Sequence, residues 1–336
     1  VRRSIVERGS ALLVGSAALL IAASILGLAV GSRTVAPSVV VDALVSYDAT
    51  DDEHLVVVAS RIPRIVLGVV VGACLGLAGA LMQSLTRNPI ADPGILGVNA
   101  GAALGVVGAI AILGVEGVGG YVWFAFAGAA VAAVVVYGLG SARGQAATPV
   151  RIALAGTAVT MAITAVTQMM VLSDEAAFNH FRYWSVGSLQ GRGLDVIAAV
   201  GPFALAGVAV GLGLIRPLNA LVLGEDAARS IGADPAVTRG LAAIAVVLLA
   251  GAATAAAGPF VFIGLAAAHI VRRTVGSDHR ILLPASLLVG ATLLVAADAL
   301  GRALMAPRDL QSGLAAVLVG GPVFVALVRS RRVAAL

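Results

Sequence analysis

A chain of 336 residues that is 60% hydrophobic and 12% charged, with a mean hydropathy of +1.04, cannot hide its apolar surface as a soluble protein, so a polytopic membrane protein is expected. Its net charge of +5 rests on arginine alone, and these arginines sit in short loops between apolar runs, which argues against nucleic acid as a partner. With no lysine there is no standard Walker A loop, and with one cysteine, Cys74, there is neither an intrachain disulfide nor a cysteine-cluster metal site. Any ATP and Mg that drive the protein are therefore bound by a partner, and no cofactor is expected in this chain.

At about 20 apolar residues per span, the length accommodates about ten helices in one polytopic transmembrane domain covering 1–336. The fold class is an all-α membrane protein with no room for a separate soluble domain. Arg2, Arg3 and Arg8 precede an apolar run from Ala11 to Val30. That run is too long for a signal peptide and lacks a convincing cleavage site, so it reads as a first span with a cytoplasmic N-terminus. Residues 33–60 are polar and acidic (Asp48, Asp51, Asp52, Glu53) and read as an external loop with room for one surface helix. Further spans are expected near 62–82, 93–113, 121–140 and 150–172, then, after a polar linker at 173–193, near 195–215.

A dense polar island, Leu223 to Pro235, follows within a loop at about 216–236. Gly224 opens a short helix there, Glu225 and Asp226 place negative charge on its first turn, and Arg229 lies four residues after Glu225, spaced to pair with it. Gly232 suits the helix end and Asp234-Pro235 stops it, which predicts about two turns, roughly 12 Å. Ala227, Ala228 and Gly232 are small, so the helix can enter a groove closely. A plain connection between spans needs only a few residues, so the island is expected to be a docking helix.

Four more spans complete the chain, near 237–256, 259–272, 281–300 and 311–328. Gly258-Pro259 leads the shortest, which predicts a broken or partly unwound helix, tolerated only against protein or a cavity. With ten spans and the N-terminus inside, arginine divides about two to one in favour of the inside segments, as the positive-inside rule demands. Both termini are then cytoplasmic. Asp298 is the one carboxylate inside a span, and Arg302, one helical turn on, is its expected partner. Thr157, Thr160, Thr164, Thr167 and Gln168 place polar groups along one span, facing either a pathway or neighbouring helices. His269 has no nearby carboxylate or cysteine and is expected to pack or hydrogen-bond rather than hold a metal.

The string RIPRIVLGVVVGACLGLAGALMQSLTRNPIADPGILGVNAGA from Arg61 closely resembles the FecCD (vitamin B12 and ferric-siderophore) permease family of ATP-binding-cassette (ABC) importers. The resemblance continues in YWSVGSL at 183–189, LGEDAARSIGAD at 223–234 and GPFVFIGLAAAHIVRRTVGSDHRILLPAS at 258–286. It implies the type II ABC importer permease fold with ten helices per subunit. It also implies a second permease subunit (identical or homologous), two cytoplasmic ATPases, an external substrate-binding protein and a cell-membrane location. On this resemblance the island is the coupling helix that seats in the ATPase, through Gly224, Glu225, Asp226, Ala227, Ala228, Arg229, Ser230 and Gly232. Arg61, Arg64 and Arg302 are implied to receive carboxylates of the binding protein, and Met82, Gln83, Asn88 and Thr148 to lie near the inner gate. The chain departs from the family at Val261, Ala268 and Asp309-Leu310-Gln311, which suits one member of a heterodimeric pair.

The expected function is import of a ferric siderophore, powered by partner ATPases, by a subunit that is not itself an enzyme. Cobalamin and haem are alternative cargoes at the level of these motifs. An ion-coupled secondary transporter is the competing class; it needs a carboxylate near the midplane, and only Asp298 qualifies.

Overall fold

The computed structural model describes residues 2–31, 34–115, 117–141 and 149–329. Its helices are α1 (Arg2–Ala29), α2 (Pro37–Val45), α3 (Asp52–Leu55), α4 (Ile62–Thr86), α5 (Val98–Leu113), α6 (Val118–Gly140), α7 (Pro149–Ser173) and α8 (Glu175–Trp184). They continue as α9 (Leu194–Gly213), α10 (Ile215–Val222), α11 (Glu225–Ser230), α12 (Pro235–Ala257), α13 (Ile263–Val275), α14 (His279–Met305) and α15 (Ser312–Arg329), with no strand among the described residues.

Each of the ten apolar segments expected from the sequence falls on a helix, and seven helical stretches are long and apolar enough to cross a membrane. The described apolar part of α15, Ser312–Pro322, and α5 are shorter, and α13 has 13 residues. Aspartates set several starts. The side chains of Asp51, Asp174, Asp234 and Asp278 accept backbone N–H bonds at the N-termini of α3, α8, α12 and α14, which satisfies donors that the first turn leaves free. Asp234-Pro235 was expected to stop the island helix; it also starts α12, with Asp234 as N-cap and Pro235 in the first turn.

The segment expected to lie outside holds more than one surface helix. It contains α2 and α3, and α3 runs through a π-helical stretch at Val56–Arg61 straight into α4, so Asp52–Thr86 is one continuous helical stretch. Four β-branched or apolar residues in a row gave no sequence signal for that continuation.

Helix α4 is the centre of the molecule: 78% of its most apolar window is buried, against 17% for α7. Small residues make this possible. A Cβ on Gly72 would meet Gly290 O at 2.5 Å, and one on Gly76 would meet Ser286 O at 2.0 Å. Helices α4 and α14 therefore cross backbone to backbone, the kind of packing that holds helices together where lipid offers no hydrophobic drive. The break after α12 is walled by protein, as its sequence required. Gly258 (φ 80°) and Phe262 (φ 69°) lie in the left-handed region. Ser188 N donates to Ala257 O at 2.8 Å, Gly313 N to Gly187 O at 2.9 Å, and Leu189 N to Ser312 Oγ at 3.2 Å. Three irregular stretches, after α8, after α12 and before α15, thus satisfy one another.

Candidate functional site

The polar island folds as α10 and α11. Helix α11 has six residues, about 9 Å, rather than two full turns, because Gly224 (φ 104°) and Ile231 are the caps and lie outside it. Gly232 (φ 85°) ends the motif, its N–H donating to Arg229 O at 3.0 Å while Ala233 N donates to Ala228 O at 2.9 Å. Ala228 is fully buried beneath the helix. The Glu225–Arg229 pair forms only loosely, at 3.8 Å, with Asp226 at 4.0 Å from the same guanidinium. The tight partner of Glu225 is Arg239 on α12, which donates to its Oε1. That guanidinium holds the Glu225 carboxyl below its ordinary range. Sequence spacing favoured the i, i+4 arginine; the chain reversal at Gly232–Asp234 brings a nearer one.

Around this anchor the surface is apolar and open. Val222, Leu223, Ile231 and Val237 are each more than half exposed, with Asp226 and Arg229 on the rim. The charged residues drew attention in the sequence, but exposure of these four is visible only in three dimensions. Behind α10 lies a cavity of about 370 Å³ lined by Gln83, Ser84, Arg87, Arg239, Arg272 and His279 among others. His279 ties its walls together, with Nδ1 2.8 Å from Asn219 Oδ1 and Nε2 2.8 Å from Ser84 Oγ.

At the opposite end of the bundle, Arg61, Arg64 and Arg302 are buried, at 4%, 6% and 2% exposure. Their guanidinium groups face protein acceptors. Arg64 grips Asp298 with two nitrogens, Nε to Oδ2 at 3.0 Å and Nη2 to Oδ1 at 2.8 Å, and reaches Asp309 at 3.2 Å. Arg302 meets Asp298 at 3.1 Å, as its spacing predicts, and donates to Gly27 O at 2.9 Å; Arg61 donates to Leu28 O. Ser312 Oγ completes the shell of Asp298 at 2.6 Å. This cluster joins α1, α4, α14 and the start of α15. Among the described residues no three His, Cys, Asp or Glu side chains converge as a metal site.

A bundle with these features has known counterparts. The profile of the FecCD transport family matches residues 19–330. The chain belongs to the FecCD transport family. Among its relatives, the ferric enterobactin transport system permease protein FepD of Escherichia coli is 41% identical over 93% of each chain. The cobalamin import system permease protein BtuC of Halobacterium salinarum is 40% identical over 86% of this chain and 78% of its own length. A solved inward-facing transporter, described as of the metal-chelate ABC type, superimposes with a TM-score of 0.82 at 25% identity, covering 96% of this chain and 99% of that one. The protein is thus a multi-pass membrane permease of the FecCD family.

The residues that resemble FecCD gate positions do not share one environment. Met82 and Gln83 are fully buried in α4, with Gln83 Nε2 donating to Leu265 O at 3.4 Å. Asn88 sits in an exposed turn after α4, its Oδ1 accepting from Ile90 N at 3.1 Å. Thr148 lies outside the described residues. Along α7, Thr157, Thr164 and Gln168 are exposed and Thr160 half-exposed on one stripe, whereas Thr167 is buried. Hydrogen bonding to neighbouring helices of this chain therefore does not account for the exposed members.

Proposed function

We propose that this FecCD permease is the transmembrane subunit of an ABC importer for ferric siderophores in the cell membrane. It crosses ten times with both termini cytoplasmic, pairs with a second permease subunit, identical or homologous, and works with two cytoplasmic ATPases that bind ATP and Mg. An external binding protein delivers the chelate. The chain is the pathway, not the enzyme.

The observation that carries this reading is the surface around α11. A short helix pinned by Glu225–Arg239 presents Leu223 and Ile231 to solvent beside a charged rim. Exposed apolar patches with polar rims mark protein contacts, and rigid anchoring lets a push on α11 travel into α12. The stripe on α7 supports a second subunit, because threonine and glutamine on an otherwise unpacked face avoid lipid. Docking of the binding protein at Arg61, Arg64 and Arg302 belongs to the same reading, with one condition set by geometry. An arriving carboxylate must replace Asp298 or Asp309 at Arg64, so docking proceeds by exchange of internal ion pairs.

Reconstitution with the cognate ATPase, binding protein and second permease tests this. Uptake of iron as ferric enterobactin, ferric citrate or labelled cobalamin is followed in proteoliposomes. The proposal expects ATP-dependent uptake of a ferric chelate that ionophores leave intact. Uptake driven by an ion gradient without ATP rejects it, and uptake of cobalamin alone corrects the cargo.

A further inference from the structure

At the end of the bundle that carries Arg61 and Arg64, a recess of about 260 Å³ is lined by Tyr121, Tyr183, Trp184, Arg192 and Gln311 among others. Its two most enclosed polar side chains are Trp184, at 2% exposure, and Arg192, at 8%. Each is held rigid by a neighbour. Arg192 Nη1 donates to Tyr121 Oη at 2.9 Å with the guanidinium 5.9 Å from that ring, and Trp184 stacks on Phe181 at 6.2 Å. Each also keeps a donor in reserve, since neither Arg192 Nε nor Trp184 Nε1 has a hydrogen-bond partner among the described residues.

Indole N–H and guanidinium N–H groups donate and never accept. Leaving them buried without an acceptor is costly, and a buried cation without a counter-ion more so. No carboxylate lines the recess. An oxygen acceptor seated in the recess would satisfy both donors, the arginine charge favours an anionic one, and the exposed Tyr183 ring adds a flat face for an aromatic or planar group. The volume lies below the usual range for a whole drug-sized ligand, about 300–1,000 Å³, so it admits one arm of a larger molecule. Its walls come from α6, α8 and the irregular stretches before α9 and α15, the kind of discontinuous backbone that borders ligand sites in transporters.

We propose that this recess is an outer receiving site for an oxygen-rich anionic chelate, taking one carboxylate- or catecholate-type arm between Arg192 and Trp184. The proposal rests on the import reading for the side from which the ligand arrives, and it adds the chemistry of the ligand. Arg192 supplies charge and Nε–H, Trp184 supplies Nε1–H, Tyr183 offers the exposed ring face, and Tyr121 keeps the guanidinium in place.

Calorimetric titration of the full chain in lipid nanodiscs tests it, with 2,3-dihydroxybenzoate, citrate and the uncharged 2,3-dihydroxybenzamide as probes. Binding of at least one of the two anions is expected, with the benzamide weaker. Arg192→Gln should weaken anion binding tenfold or more. Trp184→Phe, which keeps a ring against Phe181 and removes only the N–H donor, should weaken it severalfold and serves if Arg192→Gln fails to fold. Wild-type protein that binds neither anion at millimolar concentration overturns the site, as does equal affinity in Trp184→Phe. The titration needs neither ATPase nor binding protein, so a failed site with intact ATP-driven uptake leaves the import reading standing, and the reverse outcome leaves the site standing.

Discussion

Two carboxylates show how much depends on the nearest cation. Glu225 was expected to pair with Arg229, yet Arg239 holds it more tightly. Because the folded-state pKa of Glu225 lies below its ordinary value, the contribution of the pair is complete above about pH 4.3 and is lost as pH falls through the lowered value. Both side chains are partly exposed, so the pair contributes about 0–1 kcal/mol, an effect local to α11. Amide hydrogen exchange should therefore speed up across 225–231 in Arg239→Gln and in wild type at acid pH, while Arg229→Gln leaves it near the wild-type rate. Equal effects from the two arginine variants would contradict the assignment. Asp298 is the opposite case, 4% exposed between Arg64 and Arg302. Asp298→Ala leaves buried Arg302 without its carboxylate and Arg64 with Asp309 alone and should cost about 3–5 kcal/mol, read as a large drop in thermal midpoint in nanodiscs. An unchanged midpoint would show that water already compensates these charges.

Helices were the most legible part of the sequence, because an apolar run of about 20 residues has one physical solution in lipid. The Gly258-Pro259 break was legible for the same reason, since a proline cannot extend the ladder behind it. Less could be read where position depends on distant chain. Burial of Arg61 and Arg302 depends on α1 passing close enough for Leu28 and Gly27 to offer them carbonyls, and no local pattern encodes that approach. The exposed role of Leu223 and Ile231 was hidden because apolar residues in an apolar chain carry no contrast. The α4–α14 crossing makes a testable contrast between glycines. Gly76→Leu should prevent native packing, since even a Cβ would collide with Ser286 O. Gly108→Ala on α5, where nothing lies within 4 Å, should be neutral or stabilise by about 0.4–1 kcal/mol. Similar thermal midpoints for both would refute close backbone packing. On α7, a cysteine placed at Thr164 should react with a membrane-impermeant maleimide about tenfold faster than one at Val166, because thiolate formation needs water. Equal rates would place the stripe in lipid.

On the scale of the whole molecule, the two ends have different physical characters. One end holds its arginines inside, neutralised by Asp298 and Asp309, and places a recess with uncommitted donors beside them. The other presents α11 outward, with a cavity lined by Arg87, Arg239 and Arg272 behind the neighbouring α10. Helix α12 begins beside α11 and packs on α4, which crosses α14 backbone to backbone, so a displacement at α11 has a packed route into the bundle. The central claim is that α11 couples this permease to an ATPase. The most direct measurement is ATP-driven uptake of ferric chelate by the reconstituted importer carrying Leu223→Asp and Ile231→Asp. Both side chains are well exposed, so the substitutions should leave folding and insertion within about 0.5 kcal/mol of wild type. Uptake should fall at least tenfold together with ATPase association. Wild-type uptake with the double substitution in place would contradict the account.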